Sequence, residues 1–254
     1  MRIVVPLKLV PDLVEELEIA PSGNELDTSF SRLVLNEFDE HALEQALLLK
    51  ERSGAEVTAL TAGVAGADEV LYTAAARGVD RLLRLGADYP PSTNSHAMAR
   101  LYGSAIRDLG PDLVLLGVQA HDSLDGPIGP MLAEILGMPY VGYLAGVRLG
   151  EGCCVVKKEY PGGLIAELEV DLPAVLGIQA AEQPPRYVAI SKVRLAAKEA
   201  QIEQQAVADA DSSGAAEIRR MYKPEAGQRA TMIAGDEGAV AGRLVQIFRE
   251  QGLL

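Results

Sequence analysis

Residues 115–133 read LLGVQAHDSLDGPIGPMLA, and this stretch decides the fold. Its first residues finish an apolar strand, DLVLLG, that begins at Asp112. A continuous Val/Leu run of this length suits a strand buried on both faces of a parallel sheet. A short polar loop follows, with Asp122, Ser123, Asp125, Gly126 and Gly129. The chain then resumes as an amphipathic helix whose apolar face starts at Met131 and Leu132. The first N–H groups of a helix lack internal partners and carry the positive end of its dipole, so such a loop can hold an anion. A tight strand-to-helix turn with no ligand fits the same residues. The stretch alone leaves both readings open.

Strands and helices alternate on its N-terminal side. Residues 2–9 form a Val- and Ile-rich run read as one buried strand. Residues 16–27 suggest a small hairpin turning at Pro21, Ser22 and Gly23. Asn36 suits a helix N-cap, and Asp39 and Glu40 place negative charge in the first turn. Ala42, Leu43, Ala46 and Leu47 follow at helical spacing, and Gly54 marks the stop. Residues 56–62 and 81–85 read as strands, and residues 67–77 and 96–109 as helices. Short connections between alternating elements predict a parallel sheet covered on both faces.

After Tyr140 the texture changes. Between residues 147 and 173, turn signals at Gly150-Glu151-Gly152 and Pro161-Gly162-Gly163 bracket period-two patterning. Leu164, Ala166, Leu168, Val170 and Leu172 alternate there with acids. Residues 174–180 read as one more apolar strand, and an exposed segment opens at Pro184. From Ala196 the chain is polar and rich in small residues. Residues 215–222 suggest a short helix, and residues 236–251 a better one with Val240, Leu244, Ile247 and Phe248 on one face. The expectation is an α/β domain over residues 1–195, a parallel sheet flanked by helices with antiparallel additions. A C-terminal arm with a terminal helix is expected over residues 196–254.

Composition narrows the function. A net charge of −13 over 254 residues disfavours nucleic acid, which requires a basic footprint. No apolar run reaches the length of a membrane span, and the N-terminus reads as a strand rather than a signal peptide, so a cytoplasmic protein without direct membrane insertion is expected. Cys153 and Cys154 are adjacent, and neighbours in a strand point to opposite faces, so no bond between them is expected. His41, His96 and His121 show no zinc-type spacing, so no metal is expected. The P-loop, the dinucleotide glycine fingerprint and the serine-hydrolase elbow are absent, and no catalytic residue is assigned. Instead, Pro6, Lys8, Pro11 and Asp12 stand at and beyond the first strand's end. The balance favours a binding protein.

With these elements placed, the chain resembles the beta subunit of electron transfer flavoprotein over residues 1 to about 198. Asn36-Glu37-Phe38-Asp39-Glu40 resembles the family's Asn-Pro-Phe-Asp-Glu, and Gly78-Val79-Asp80-Arg81 its Gly-Ala-Asp-Arg. Leu116-Gly117-Val118-Gln119-Ala120-His121-Asp122 resembles Leu-Gly-Lys-Gln-Ala-Ile-Asp. Glu159 with Gly162-Gly163-Leu164, then Leu172-Pro173-Ala174-Val175 and Pro185-Arg186-Tyr187, follow in the family's order. The resemblance implies a fold of the adenine nucleotide alpha hydrolase-like and universal stress protein-like type. It implies a heterodimer with an alpha subunit that carries the redox FAD, and AMP or a second FAD in this subunit. Implied donors are flavoprotein dehydrogenases such as acyl-CoA dehydrogenase, and the implied downstream acceptor is a quinone oxidoreductase. The arm would wrap the alpha subunit.

Carried over residue by residue, the resemblance places cofactor contacts at Pro6, Asn36, Phe38, Asp39, Ala62, Gly117, Gln119, Ala120, Asp122, Gly126, Pro127, Ile128 and Gly129. Asp122 would hold ribose hydroxyls, phosphate would lie near Gly126–Gly129, and Phe38 would approach the partner's flavin. Glu159 would face the alpha subunit, while Arg186, Tyr187 and an apolar anchor in an exposed loop, Ile190, would serve partner dehydrogenases. The chain departs from the family around the phosphate. Pro127 has no N–H, Ile128 has no hydroxyl, Val118 stands where a Lys is usual, and Asp125 adds negative charge. A stand-alone adenine-nucleotide-binding regulator of the universal stress type remains the alternative, although such a domain needs neither the arm nor the Arg186-Tyr187 segment.

Overall fold

The computed structural model describes all of the chain except residues 30, 87–88, 91–92, 124–127, 208–210, 212, 215, 226 and 228–229. It forms two compact units, Met1–Met221 and Tyr222–Leu254. The described elements of the first unit are β1 (Arg2–Pro6), β2 (Leu9–Pro11), β3 (Glu18–Ile19), β4 (Leu26–Asp27), β5 (Leu33–Leu35), α1 (Glu37–Ser53), β6 (Glu56–Ala62), α2 (Ala67–Arg77) and β7 (Arg81–Leu85). They continue through α3 (Ser95–Leu109), β8 (Leu113–Gly117), α4 (Ile128–Leu136), β9 (Tyr140–Leu149), β10 (Cys153–Tyr160), β11 (Leu164–Asp171), β12 (Ala174–Ile178), α5 (Ile190–Glu199) and β13 (Ile202–Gln205). The second unit carries α6 (Glu237–Glu250), where Leu244 and Phe248 are exposed.

One sheet organises the first unit, in the order β11-β10-β9-β12-β8-β1-β6-β7-β13. Its strands from β9 through β12, β8, β1, β6 and β7 to β13 pair in parallel, and β10 and β11 add on antiparallel. This is the expected α/β architecture with antiparallel additions. Each face has its own apolar core. One gathers Ile3, Val5, Leu43, Leu47, Val57 and Leu71 with α1 and α2. The other gathers Val4, Leu60, Leu101, Ile106, Val114 and Leu132 with α3 and α4. Alternate residues of β1 thus enter opposite cores, as a two-sided strand requires.

Residues 2–9 do not form one strand. The chain breaks after Pro6, and every backbone group at the break has found another partner. Leu7 N–H donates to the Leu60 carbonyl at 2.8 Å, and the Leu7 carbonyl accepts from Thr61 Oγ1 at 2.7 Å and from the Tyr102 hydroxyl at 3.3 Å. Lys8 N–H donates to Asp39 Oδ2 at 2.9 Å, and the Lys8 carbonyl accepts from Asn36 N–H at 2.9 Å. β2 then pairs antiparallel with β5. An apolar run cannot reveal such a break, because its cause lies in residues 28 to 95 positions away.

Three other readings change. Residues 196–205, read as the start of a polar arm, hold the end of α5 and the edge strand β13, which pairs with β7. An edge strand buries little, so β13 offers Ile202 as its one apolar residue, followed by Glu203, Gln204 and Gln205, and gives no apolar pattern. The described residues 216–222 form no helix, and Met221 N–H donates instead to the Gly23 carbonyl at 2.7 Å. Ile190 lies in neither a loop nor a strand. It is the first residue of α5, and it is 66% exposed.

Candidate functional site

The carboxyl ends of β1 and β8 and the start of α1 meet at one place, where open α/β sheets bind ligands. The contact is close because Gly117 ends β8. A Cβ there would lie 2.6 Å from Phe38 Cβ and 2.7 Å from both Asp39 N and Asp39 Oδ1. Asp39 is buried, and its two carboxylate oxygens accept from Gly117 N–H at 2.7 Å and from Lys8 N–H at 2.9 Å. One side chain therefore ties both strand ends to the helix. Burial pushes its pKa up from the usual carboxylate range to about 6, against the pull of those hydrogen bonds. Asn36 occupies the N-cap position, but its side chain does not cap the helix. Its Nδ2 donates to the Gln119 carbonyl at 3.0 Å and anchors the loop after β8.

Pro6, Asn36, Asp39, Gly117, Gln119, Ala120 and Ile128 line one concavity at this junction, together with Lys8, Tyr102 and Ser123. Ala62 lines an adjoining hollow on the far side of Lys8 and Tyr102. Asp122 lies on a larger neighbouring cavity of about 220 Å³ that also includes Lys8 and Ser123. Phe38 sits at the start of α1 with its Cβ against Gly117. Gly129 is buried, and a Cβ there would meet the Tyr140 ring at 2.6 Å, so its visible role is to let α4 cross that ring. Gly126 and Pro127 lie outside the described residues.

Lys8, Tyr102, Leu116 and Ser123 complete the lining, and the sequence does not assign them to a site. Lys8 Nζ lies 2.6 Å from Asp122 Oδ1 and 3.0 Å from Ser123 Oγ, in a pair whose side chains are only 13% and 17% exposed. The carboxylate expected to meet ribose thus holds a lysine here, and Lys8 brings a cation to a lining that Val118 does not join. Its signal in the sequence was a lone Lys two residues past Pro6. Tyr102 gave no signal, since an aromatic in an amphipathic helix reads as core. Burial and the nearby Asp39 hold its phenol well above the usual range.

The remaining assigned residues lie elsewhere. Glu159 is exposed on β10, across from Ile165 of β11. Tyr187 is 87% exposed. Arg186, next to it, is engaged inside the chain. Its guanidinium binds Glu44 Oε1 at 2.7 Å and Glu51 Oε1 at 2.6 Å, and its own N–H donates to Glu44 Oε2 at 3.0 Å.

The model of the electron transfer flavoprotein domain matches residues 27–210, which is most of the first unit. The chain belongs to the electron transfer flavoprotein beta-subunit family. It is 34% identical to the electron transfer flavoprotein subunit beta of Methylophilus methylotrophus, over 98% of both chains. It is 29% identical to the subunit beta of Bradyrhizobium diazoefficiens over the full length of both. It is also 32% identical to the acryloyl-CoA reductase electron transfer subunit gamma of Anaerotignum propionicum, over 76% of this chain and 73% of that protein. An electron transfer flavoprotein role, carrying electrons rather than breaking bonds, follows from this membership and displaces the stand-alone regulator. No helix among the described residues is long and apolar enough to cross a membrane.

Proposed function

We propose that this chain is the nucleotide-binding half of a heterodimeric electron transfer flavoprotein. Its site takes the adenosine-phosphate part of AMP or of a second FAD. The observation that carries the reading is the convergence of Pro6, Asn36, Asp39, Gly117, Gln119, Ala120 and Ile128, from four separate segments, on one concavity beside a lysine. Lys8 offsets phosphate charge, and the positive dipole end at the start of α4 favours an anion. Asp122, released from Lys8, accepts ribose hydroxyls. FAD bound in the alpha subunit supplies the electron chemistry, and Phe38 at the start of α1 faces that partner. α6 and the segment before it pack on the alpha subunit, and Glu159 lies on the same interface. Tyr187 and Ile190 dock a flavoprotein dehydrogenase, such as an acyl-CoA dehydrogenase. Electrons then pass to a quinone oxidoreductase.

The test is co-expression with an alpha subunit followed by acid release and counting of nucleotides. One FAD and one AMP per heterodimer is the expected ordinary form, and two FAD the bifurcating form. A heterodimer with one FAD and no second nucleotide, or no heterodimer at all, overturns the reading. Lys8→Met is expected to weaken the second nucleotide by about tenfold or more, the worth of one charge-assisted hydrogen bond, while Lys8→Arg retains it. Equilibrium dialysis of the refilled heterodimer checks this. Ile190→Ala is expected to change unfolding free energy by less than about 0.5 kcal/mol, because the side chain is exposed, yet to raise the KM for an acyl-CoA dehydrogenase by about tenfold.

A further inference from the structure

The chain between β12 and α5 has no regular structure, yet it is fastened along one face of α1. Ala181 N–H donates to His41 Nδ1 at 3.2 Å, Glu182 N–H to Gln45 Oε1 at 3.1 Å, and Arg186 N–H to Glu44 Oε2 at 3.0 Å. Arg52 pairs with Glu182 at 2.7 Å. Positions 41, 44, 45 and 52 share a helical stripe, so three main-chain donors of an irregular segment meet three acceptors on one rigid element.

Arg186 closes this ladder in an unusual way. Its backbone N–H and its guanidinium both bind Glu44, with Nε and Nη2 lying 2.7–3.0 Å from the carboxylate oxygens, while Nη1 reaches Glu51. Fixing main chain and side chain to one carboxylate sets both the place and the direction of the chain at residue 186. Glu44 is 2% exposed on a helix face that also buries Leu43, Gln45, Ala46 and Leu47. A carboxylate that deep would be an uncompensated charge without the guanidinium. The side chains that follow turn outward at once, Tyr187 being 87% and Ile190 66% exposed.

We infer that Arg186 and Glu44 are positioning residues: their ion pair, anchored on the buried Glu44, aims the Tyr187–Ile190 surface at its partner, and Arg186 is not itself a partner contact. The inference rests on the reading that this surface docks a dehydrogenase. Glu44 makes the distinction sharp, since a residue 2% exposed cannot touch a second protein.

The experiment uses the assembled heterodimer in six forms: native, Ile190→Ala, Arg186→Gln, Glu44→Gln, the conservative Arg186→Lys and the Ile190→Ala/Arg186→Gln double variant. Amide exchange of residues 187–194 is expected to speed up at least tenfold in Glu44→Gln and Arg186→Gln, with β1 and β6 unchanged. With an acyl-CoA dehydrogenase as donor, both variants are expected to raise KM by about tenfold while kcat and flavin content hold, and Arg186→Lys to recover part of the loss. The Ile190→Ala/Arg186→Gln double variant is expected to be no worse than the weaker-binding single variant, because both act through one surface. Multiplying effects would make Arg186 an independent partner contact and overturn the inference. Unchanged exchange at 187–194 would also overturn it, and that arm needs no donor. If Ile190→Ala leaves KM unchanged, the docking reading fails instead. If Glu44→Gln does not assemble, Arg186→Lys and Arg186→Gln give the same two readouts.

Discussion

Asp39→Ala is expected to lower the unfolding free energy by about 2–4 kcal/mol at pH 5 and to abolish nucleotide retention. The carboxylate is the acceptor for Lys8 N–H and Gly117 N–H, and each buried donor left without a partner costs about 1–3 kcal/mol. Removing it also frees the ends of β1 and β8 from the start of α1, which is where the lining residues converge. The effect depends on pH with a definite sign. Burial raises the pKa of Asp39 in the folded chain from 3.8 to about 6. Between these values the folded state holds more protons than the unfolded one, so this group's contribution to stability is complete below pH 3.8 and is lost as pH rises through 6. The native chain should therefore gain on Asp39→Ala as pH falls from 7 towards 4, by on the order of 2–3 kcal/mol. Urea unfolding of both proteins across that range checks it. A difference that shrinks on acidification would show that Asp39 is not held raised.

Gly117→Ala is the second large effect, about 2–3 kcal/mol of destabilisation with loss of the site. The added methyl would meet Phe38 Cβ at 2.6 Å, Asp39 N at 2.7 Å and Asp39 Oδ1 at 2.7 Å. The first two are fixed by the backbone of α1, and Asp39 Oδ1 is held by the hydrogen bond it accepts from Gly117 N–H. The first turn of α1 would have to move away from β8, breaking the Asp39 bond to Gly117 N–H and shifting Asn36 away from Gln119. A thermal midpoint within about one degree of the native chain, with nucleotide content unchanged, would contradict this account. Close approach alone demands glycine here, since the backbone at Gly117 is ordinary extended strand.

The two substitutions probe one design from opposite sides. An acid at the third position of a helix is what a sequence reader expects for the dipole. In the folded chain Asp39 instead points across to two strands, and Asn36, the expected cap, points to a loop carbonyl. Both residues had been placed at the site, through the family resemblance, but the work each performs was not visible. The same holds for Asp122, which binds Lys8, and for Arg186, which binds Glu44.

The elements themselves were legible because their causes are local. Continuous apolar runs gave β8 and β12, helical spacing and glycine stops gave α1 and α2, and period-two alternation gave β11. Where burial is slight, that signal fades, and β13 passed as part of an arm. The sequence also determined, by itself, that a Gly ends the strand after Leu116 and that acids and Asn crowd the start of α1. Only the tertiary structure decided what these groups bind. Gly117 is 78 residues from Asp39, Lys8 is 114 from Asp122, and Arg186 is 142 from Glu44. Propensity and periodicity act over one or two turns of chain. Pairings across such spans are set by which strand ends and helix faces the packed sheet brings together, and the site is made of those pairings.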